Sequence, residues 1–137
     1  MPNALEAEIK QRWEAPDVIH AQYIGDLHAE HMRAAQEEAA VWLKGAPYFF
    51  TLIDVSQLGS VSADARRAMA TNGEAAKTSR GIAIVGASFH FRALGTMVAR
   101  AIAILHSHVD NPIRFFSTED EARVWLAERR SLIASGK

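Results

Sequence analysis

Cysteine is absent from the chain. Its absence excludes disulfides, thiolate metal sites and cysteine nucleophiles together, and it fits a reducing compartment. Net charge is nearly absent as well: 15 Lys and Arg stand against 16 Asp and Glu, a formal balance of -1. Such a chain has no global field to draw in nucleic acid or an anionic membrane. Arg66-Arg67 and Arg129-Arg130 are isolated basic pairs without interleaved aromatics, so no nucleic-acid partner is expected. Long apolar runs are missing too. The richest stretch, Ala93 to Leu105, contains Arg100 and falls short of the roughly 20 residues that span a bilayer. Met1-Pro2-Asn3-Ala4-Leu5-Glu6 lacks the basic start and apolar run of a secretory signal. The expectation is a cytoplasmic protein without stable membrane insertion.

What is present is globular: 49% hydrophobic and 23% charged residues in a chain of 137. That length can bury a core. No repeat, linker or low-complexity segment divides it, so residues 1–137 read as a single domain. Residues 5–14 place Ile9, Gln11 and Trp13 on one side of an extended segment, and Ala15-Pro16-Asp17 is turn chemistry. Val18 to Ile24, rich in β-branched and aromatic residues, completes an N-terminal hairpin. Asp26 is expected to cap a helix running through Trp42-Leu43 to Gly45, with Leu27, Ala35, Ala39 and Trp42 packing inward. Tyr48 to Asp54 and Ile82 to Gly86 are nearly unbroken apolar runs, the pattern of strands covered on both faces.

Between those runs, Ser62 to Lys77 is alanine-rich and helical, weakened at Gly73 by about 1 kcal/mol relative to alanine. Ser88 opens a helix over Phe89 to Ser107, and Pro112 to Phe116 is a short strand. Ser117 or Thr118, with Asp120 and Glu121 three residues on, opens a last helix whose stripe is Ala122, Trp125, Leu126 and Leu132. This alternation predicts an α/β fold: a mixed, mainly parallel five-stranded sheet with about four helices.

Several segments in this order carry a resemblance. They are Asp54-Val55-Ser56 at a strand end, the helix from Ser62, Ile82-Ala83-Ile84-Val85-Gly86, and Glu121-Ala122-Arg123-Val124-Trp125-Leu126. The chain resembles a STAS-type domain, the fold of bacterial anti-sigma-factor antagonists. Within that group it is similar to small bacterial STAS-like proteins often placed with the lipid-binding CRAL-TRIO domains. The resemblance implies a regulatory protein partner or a lipid ligand. It also exposes a departure. Antagonists carry an Asp-Ser-Ser-Gly-like segment with a phosphorylated serine, whereas this chain has Ser62-Ala63-Asp64-Ala65. Ala63 stands at the expected phosphoacceptor position, with Ser60 and Ser62 nearby.

In open α/β sheets, ligands sit outside the carboxyl ends of the strands. Asp54 to Ser62 and Gly86 to Arg92 are read as the turns that build this edge. Asp54, Ser56, Ser60, Ser62, Arg66, Gly86, Ser88, His90 and Arg92 are its candidate binding residues. Two helix N-termini and two arginines favour an anionic ligand or a protein partner there. The same serines and aspartate are also ordinary turn and cap formers. Phe89, Phe91, Leu94, Met97 and Val98 exceed what one core-facing stripe needs. They suit core packing, a homodimer contact or a surface for a hydrophobic ligand.

No catalytic residue is assigned. Gly86-Ala87-Ser88 is neither a P-loop nor a dinucleotide fingerprint, and Ser88-Phe89-His90 lacks the last glycine of a nucleophile elbow. A small hydrolase using Ser88 with His90 and Asp54 ranks third. His28 with His31, and His106 with His108, lack the converging set a zinc site needs, so no metal or other cofactor is expected. The leading expectation is a non-enzymatic regulatory or interaction domain binding a partner protein or an anionic small ligand. The alternative is a carrier or sensor of a lipid or other hydrophobic molecule.

Overall fold

The computed structural model describes residues 6–70, 73–105 and 110–136. The hairpin forms as expected, with β1 (Glu8–Glu14) antiparallel to β2 (Val18–Leu27). Then follow α1 (Ala29–Leu43), β3 (Phe49–Val61), α2 (Ala63–Ala70), α3 (Gly73–Thr78), β4 (Ser79–Val85), α4 (Phe89–Leu105), β5 (Ile113–Phe116) and α5 (Glu119–Ala134). The sheet order is β1-β2-β3-β4-β5, and every pair after the first is parallel.

That linear order dictates the layers. Each new parallel strand is added on the same side of the last, and right-handed crossovers then put every connecting helix on one face. Met32 of α1, Ala65 of α2 and Phe91 of α4 accordingly pack on one face, with Ala21, Ile53 and Ile84 from the strands. Helix α5 follows the last strand and covers the opposite face, burying Ala122, Trp125 and Leu126 against Val18, Phe50, Leu52 and Ala83. Alternation along the strands decides which side chain faces which layer. Gly81 lies close under the rings on the α5 face. A Cβ there would lie 3.2 Å from Phe50 Cδ1 and 3.4 Å from Trp125 Cη2, so a larger residue would require those rings to give by a few tenths of an ångström.

Polar bonds fasten α5 to the hairpin. Asp17, buried in the turn, accepts from Arg130 Nε and Nη2 at 2.7 Å each, and from Tyr48 Oη at 2.7 Å. Burial raises the Asp17 pKa, but the bonds from Arg130 and Tyr48 outweigh it and hold the carboxyl below its ordinary value. Glu14 accepts from Arg123 at 3.0 and 3.2 Å. That pairing, against some burial and with help from Arg12 and His20, lowers its pKa to about 2. Arg129 donates to Arg80 O and to Asp110 Oδ2. The basic pair Arg129-Arg130 is therefore used inside the fold.

Two boundaries correct the sequence-based expectation. Helix α1 begins at Ala29, so Asp26 and Leu27 belong to β2 and Asp26 does not cap the helix. Its carboxylate instead accepts from Ser60 N at 2.9 Å and Ser60 Oγ at 3.0 Å, binding β2 to the far end of β3. His28 takes the cap position, where its N–H donates to His31 Nδ1 at 2.9 Å. The second correction concerns the turn expected over Asp54 to Ser62. Strand β3 continues to Val61, pairing Gly25 with Leu58 and Leu27 with Val61 after two register shifts. Cross-strand pairing and the buried Leu27 and Val61 override the turn preference of Ser56, Gly59 and Ser60.

Candidate functional site

Gly86 to Arg92 follow the carboxyl end of β4, whose Val85 pairs with Asp54 inside the longer β3, and the polar groups there are largely occupied by local structure. Asp54 Oδ1 accepts from Ser56 N at 2.9 Å, and Ser62 Oγ caps α2 by accepting from Ala65 N at 3.1 Å. Ser88 Oγ caps α4 through Phe91 N at 3.1 Å. Gly86, at φ +81°, ends β4 and lies against Ser56, a conformation that L side chains rarely adopt. Arg66 Nη1 donates to Val61 O at 2.7 Å, and the Arg92 guanidinium lies 5.9 Å from the Phe115 ring centroid. Ser56, Ser60, Ser88, His90 and Arg92 are exposed. Among the described residues, Ser88 makes no bond to His90 or Asp54, so a hydrolytic triad is not assembled. Ala63 is the exposed first residue of α2.

Helix α4 divides the apolar candidates. Phe91 packs into the core cluster, whereas Phe89 is 89% exposed and Met97 is 68% exposed. The side chains of Leu94, Val98, Ile102 and Leu105 lie outside the described residues, as do His106 and His108. His28 and His31 are absorbed by the start of α1, and no metal-binding cluster occurs among the described residues.

The more developed site lies between the three-helix layer and the sheet. A cavity of about 190 Å³ runs there along the strands. Its floor includes Ile19, Ala21 and Tyr23 of β2, Thr51 and Ile53 of β3, and Ile82 and Ile84 of β4. Its roof combines small residues, Ala35 and Ala39 of α1, Ala75 of α3 and Gly95 of α4, with the larger Met32 and Leu43 of α1, Met69 of α2 and Phe91 of α4. The volume has a direct cause in sequence. Ala21 on the floor and Ala35 and Ala39 on the roof are short side chains that fill little of the gap. Gly95 cannot be enlarged freely, because a Cβ there would sit 2.6 Å from Phe115 Cζ.

The polar groups of the lining differ in how they are used. Ser79 Oγ donates to Asn111 Oδ1 at 2.9 Å at the start of β4. Gln11 Nε2 donates to Ala35 O and Glu38 Oε1, tying β1 to α1, and Gln36 Nε2 donates to Ala68 O, tying α1 to α2. The hydroxyls of Tyr23 and Thr51 make no hydrogen bond among the described residues. Tyr23 is only 9% exposed, and burial pushes its pKa up to about 12. No described side-chain oxygen is both sealed and unpartnered, so the Tyr23 hydroxyl keeps some solvent access, and Tyr23 lines the cavity. Arg66 is the only charged residue among the described residues of the lining.

The sequence reading had named Arg66 and Phe91 but not Tyr23, Thr51 or the lining alanines as site residues. The available signal was alanine at Ala35 and Ala39, one turn apart on a helix, and Ala21 on a strand. Only the sheet order and its crossovers bring them to the lining of one cavity.

Residues 18–127 match the family model described as SpoIIAA-like. No curated protein matches the chain. Among solved structures, the chain is similar to an uncharacterised protein with a SpoIIAA-like fold from Shewanella loihica PV-4. That match has a TM-score of 0.65 at 19% identity and covers 92% of this chain and 99% of the other. At that identity the likeness is one of fold. The mixed five-stranded α/β architecture is thus STAS-like, consistent with a regulatory or interaction domain, and no described helix is long and apolar enough to cross a membrane. With most of its length matched by that one model, the chain belongs to the SpoIIAA-like family.

Proposed function

We propose that the domain is a non-enzymatic carrier or sensor that takes a small hydrophobic molecule into the cavity between the sheet and α1, α2 and α4. The observation that carries this reading is the cavity itself: about 190 Å³ lined mainly by apolar side chains. An apolar cavity of ~150 Å³ is enough to hold benzene, so a single ring or medium-length chain is the fitting size, and a two-tailed lipid is not. The CRAL-TRIO resemblance of the sequence supports the same class of ligand. The test is binding of N-phenyl-1-naphthylamine, a neutral apolar dye, to the chain and to the Ala39→Phe variant. The native chain should enhance dye emission saturably, and the variant should lose most of it while unfolding at the same temperature or higher. Equal enhancement by both would remove the cavity as the site.

A second reading rests on a separate observation, the 89% exposure of Phe89 beside His90 and Arg92 at the strand ends. Large exposed aromatics flanked by arginine are typical anchors for a protein partner. In this reading a regulatory protein docks on Gly86 to Arg92, with Ser56, Ser60 and Ser88 at its rim. Replacing Phe89 with serine and Arg92 with alanine should abolish capture of such a partner without lowering stability. Retained capture would contradict it.

A further inference from the structure

We infer that the cavity selects an apolar monocarboxylate, with Arg66 pairing the carboxylate and the Tyr23 hydroxyl donating to it. This rests on the proposal that the cavity is a ligand site, and it names the chemistry of that ligand. Three observations lead to it. Among the described lining residues Arg66 is the only charged one, and none is Asp or Glu. The charge these residues present to the cavity is therefore positive, which favours an anion over a cation.

The guanidinium is also incompletely used. Arg66 Nη1 donates to Val61 O at 2.7 Å, and no carboxylate pairs with Arg66 among the described residues. A planar fork with free N–H groups beside an apolar volume matches a carboxylate better than a spherical or neutral group. Tyr23 supplies the third observation. It is nine-tenths buried, lines the same cavity, and its hydroxyl has no protein partner. That hydroxyl is therefore available to donate to a ligand oxygen.

The two groups lie toward the same end of the fold. Tyr23 is on the C-terminal half of β2, and Arg66 is bonded to Val61 O, whose strand partner is Leu27 of β2. The other end, where Ser79 and Asn111 bond each other, offers no charged residue among the described lining residues. The apolar tail then runs toward Ile19, Phe49 and Ile82, past Thr51 in the middle of the floor.

Calorimetry with octanoate and octanol on the full chain tests this. Octanoate should bind at least about tenfold more tightly than octanol, the size expected of one charge-assisted pair. Arg66→Met should erase that preference while leaving octanol affinity within about twofold. Tyr23→Phe, which keeps shape and packing, should weaken octanoate several-fold, and Thr51→Val should leave the preference unchanged. Circular dichroism of Arg66→Met checks its fold, and Tyr23→Phe serves as the independent variant if that fold is lost. Octanol binding as tightly as octanoate, or a preference that survives Arg66→Met, overturns the carboxylate assignment alone. Binding of neither ligand overturns the cavity reading, and this inference with it.

Discussion

Replacing Arg130 with methionine isolates the clamp that holds α5 to the hairpin. The substitution removes both 2.7 Å bonds to Asp17 and leaves the carboxylate with Tyr48 Oη as its one side-chain donor. Asp17 is 1% exposed, so water cannot replace the lost partner at its position. Breaking a buried ion pair on one side costs about 3–5 kcal/mol. The Arg130 side chain is 40% exposed, so part of its interaction is already screened by solvent. The expected loss is therefore at the low end, about 2–3 kcal/mol at neutral pH.

The pH dependence separates a lost charge pair from lost packing. In the native chain the Asp17 pKa lies below its ordinary 3.8, so its contribution is present above that value and lost as pH falls below it. In the variant, burial is no longer opposed by Arg130, and the carboxyl shifts upward. Protonation then relieves the variant as the solution is acidified, so the gap between the two chains should narrow as the pH falls. Urea unfolding followed by tryptophan fluorescence measures both. A variant within about 0.5 kcal/mol of the native chain at neutral pH, or a gap unchanged by acid, would refute the reasoning.

Two further outcomes follow from the same geometry. Glu14, held to about pKa 2 chiefly by Arg123, contributes stability above its ordinary 4.5 that is lost as pH falls toward 2. Glu14→Gln should cost about 1–2 kcal/mol near neutrality and almost nothing at the acid limit, read from urea midpoints at each pH. Tyr23→Phe should leave stability within about 0.5 kcal/mol, because the hydroxyl has no protein partner to lose. In native Tyr23, burial moves the pKa from 10.0 to about 12, so the unfolded chain releases its proton first and stability falls across that interval. Ultraviolet titration of tyrosinate in native and unfolded chains checks the order.

The layer architecture was legible because it rests on local signals that act over a few residues. Tyr48 to Asp54 and Ile82 to Gly86 announced buried strands, and Thr118 caps α5 by accepting from Glu121 N. Ser62 and Ser88 cap the helices they were expected to open. The far half of β3 was not legible, because Ser56, Gly59 and Ser60 favour turns until Gly25 and Leu27 pair with Leu58 and Val61 and Asp26 binds Ser60. The Asp17–Arg130 clamp spans 113 residues, and nothing local marks either partner. The cavity was hidden for a related reason. Alanines at 21, 35 and 39 look like packing residues until the fold brings them to the lining of one cavity.

The central claim is that the space under α1, α2 and α4 admits a small apolar molecule. Methyl-resolved NMR during titration with octanol tests it most directly. The methyls of Ile19, Ile53, Ile82, Ile84 and Ile113 line the cavity and should shift together and saturably, while Ile133, packed on the α5 face, stays in place. Shifts that are absent, or that spread equally to Ile133, would contradict the account.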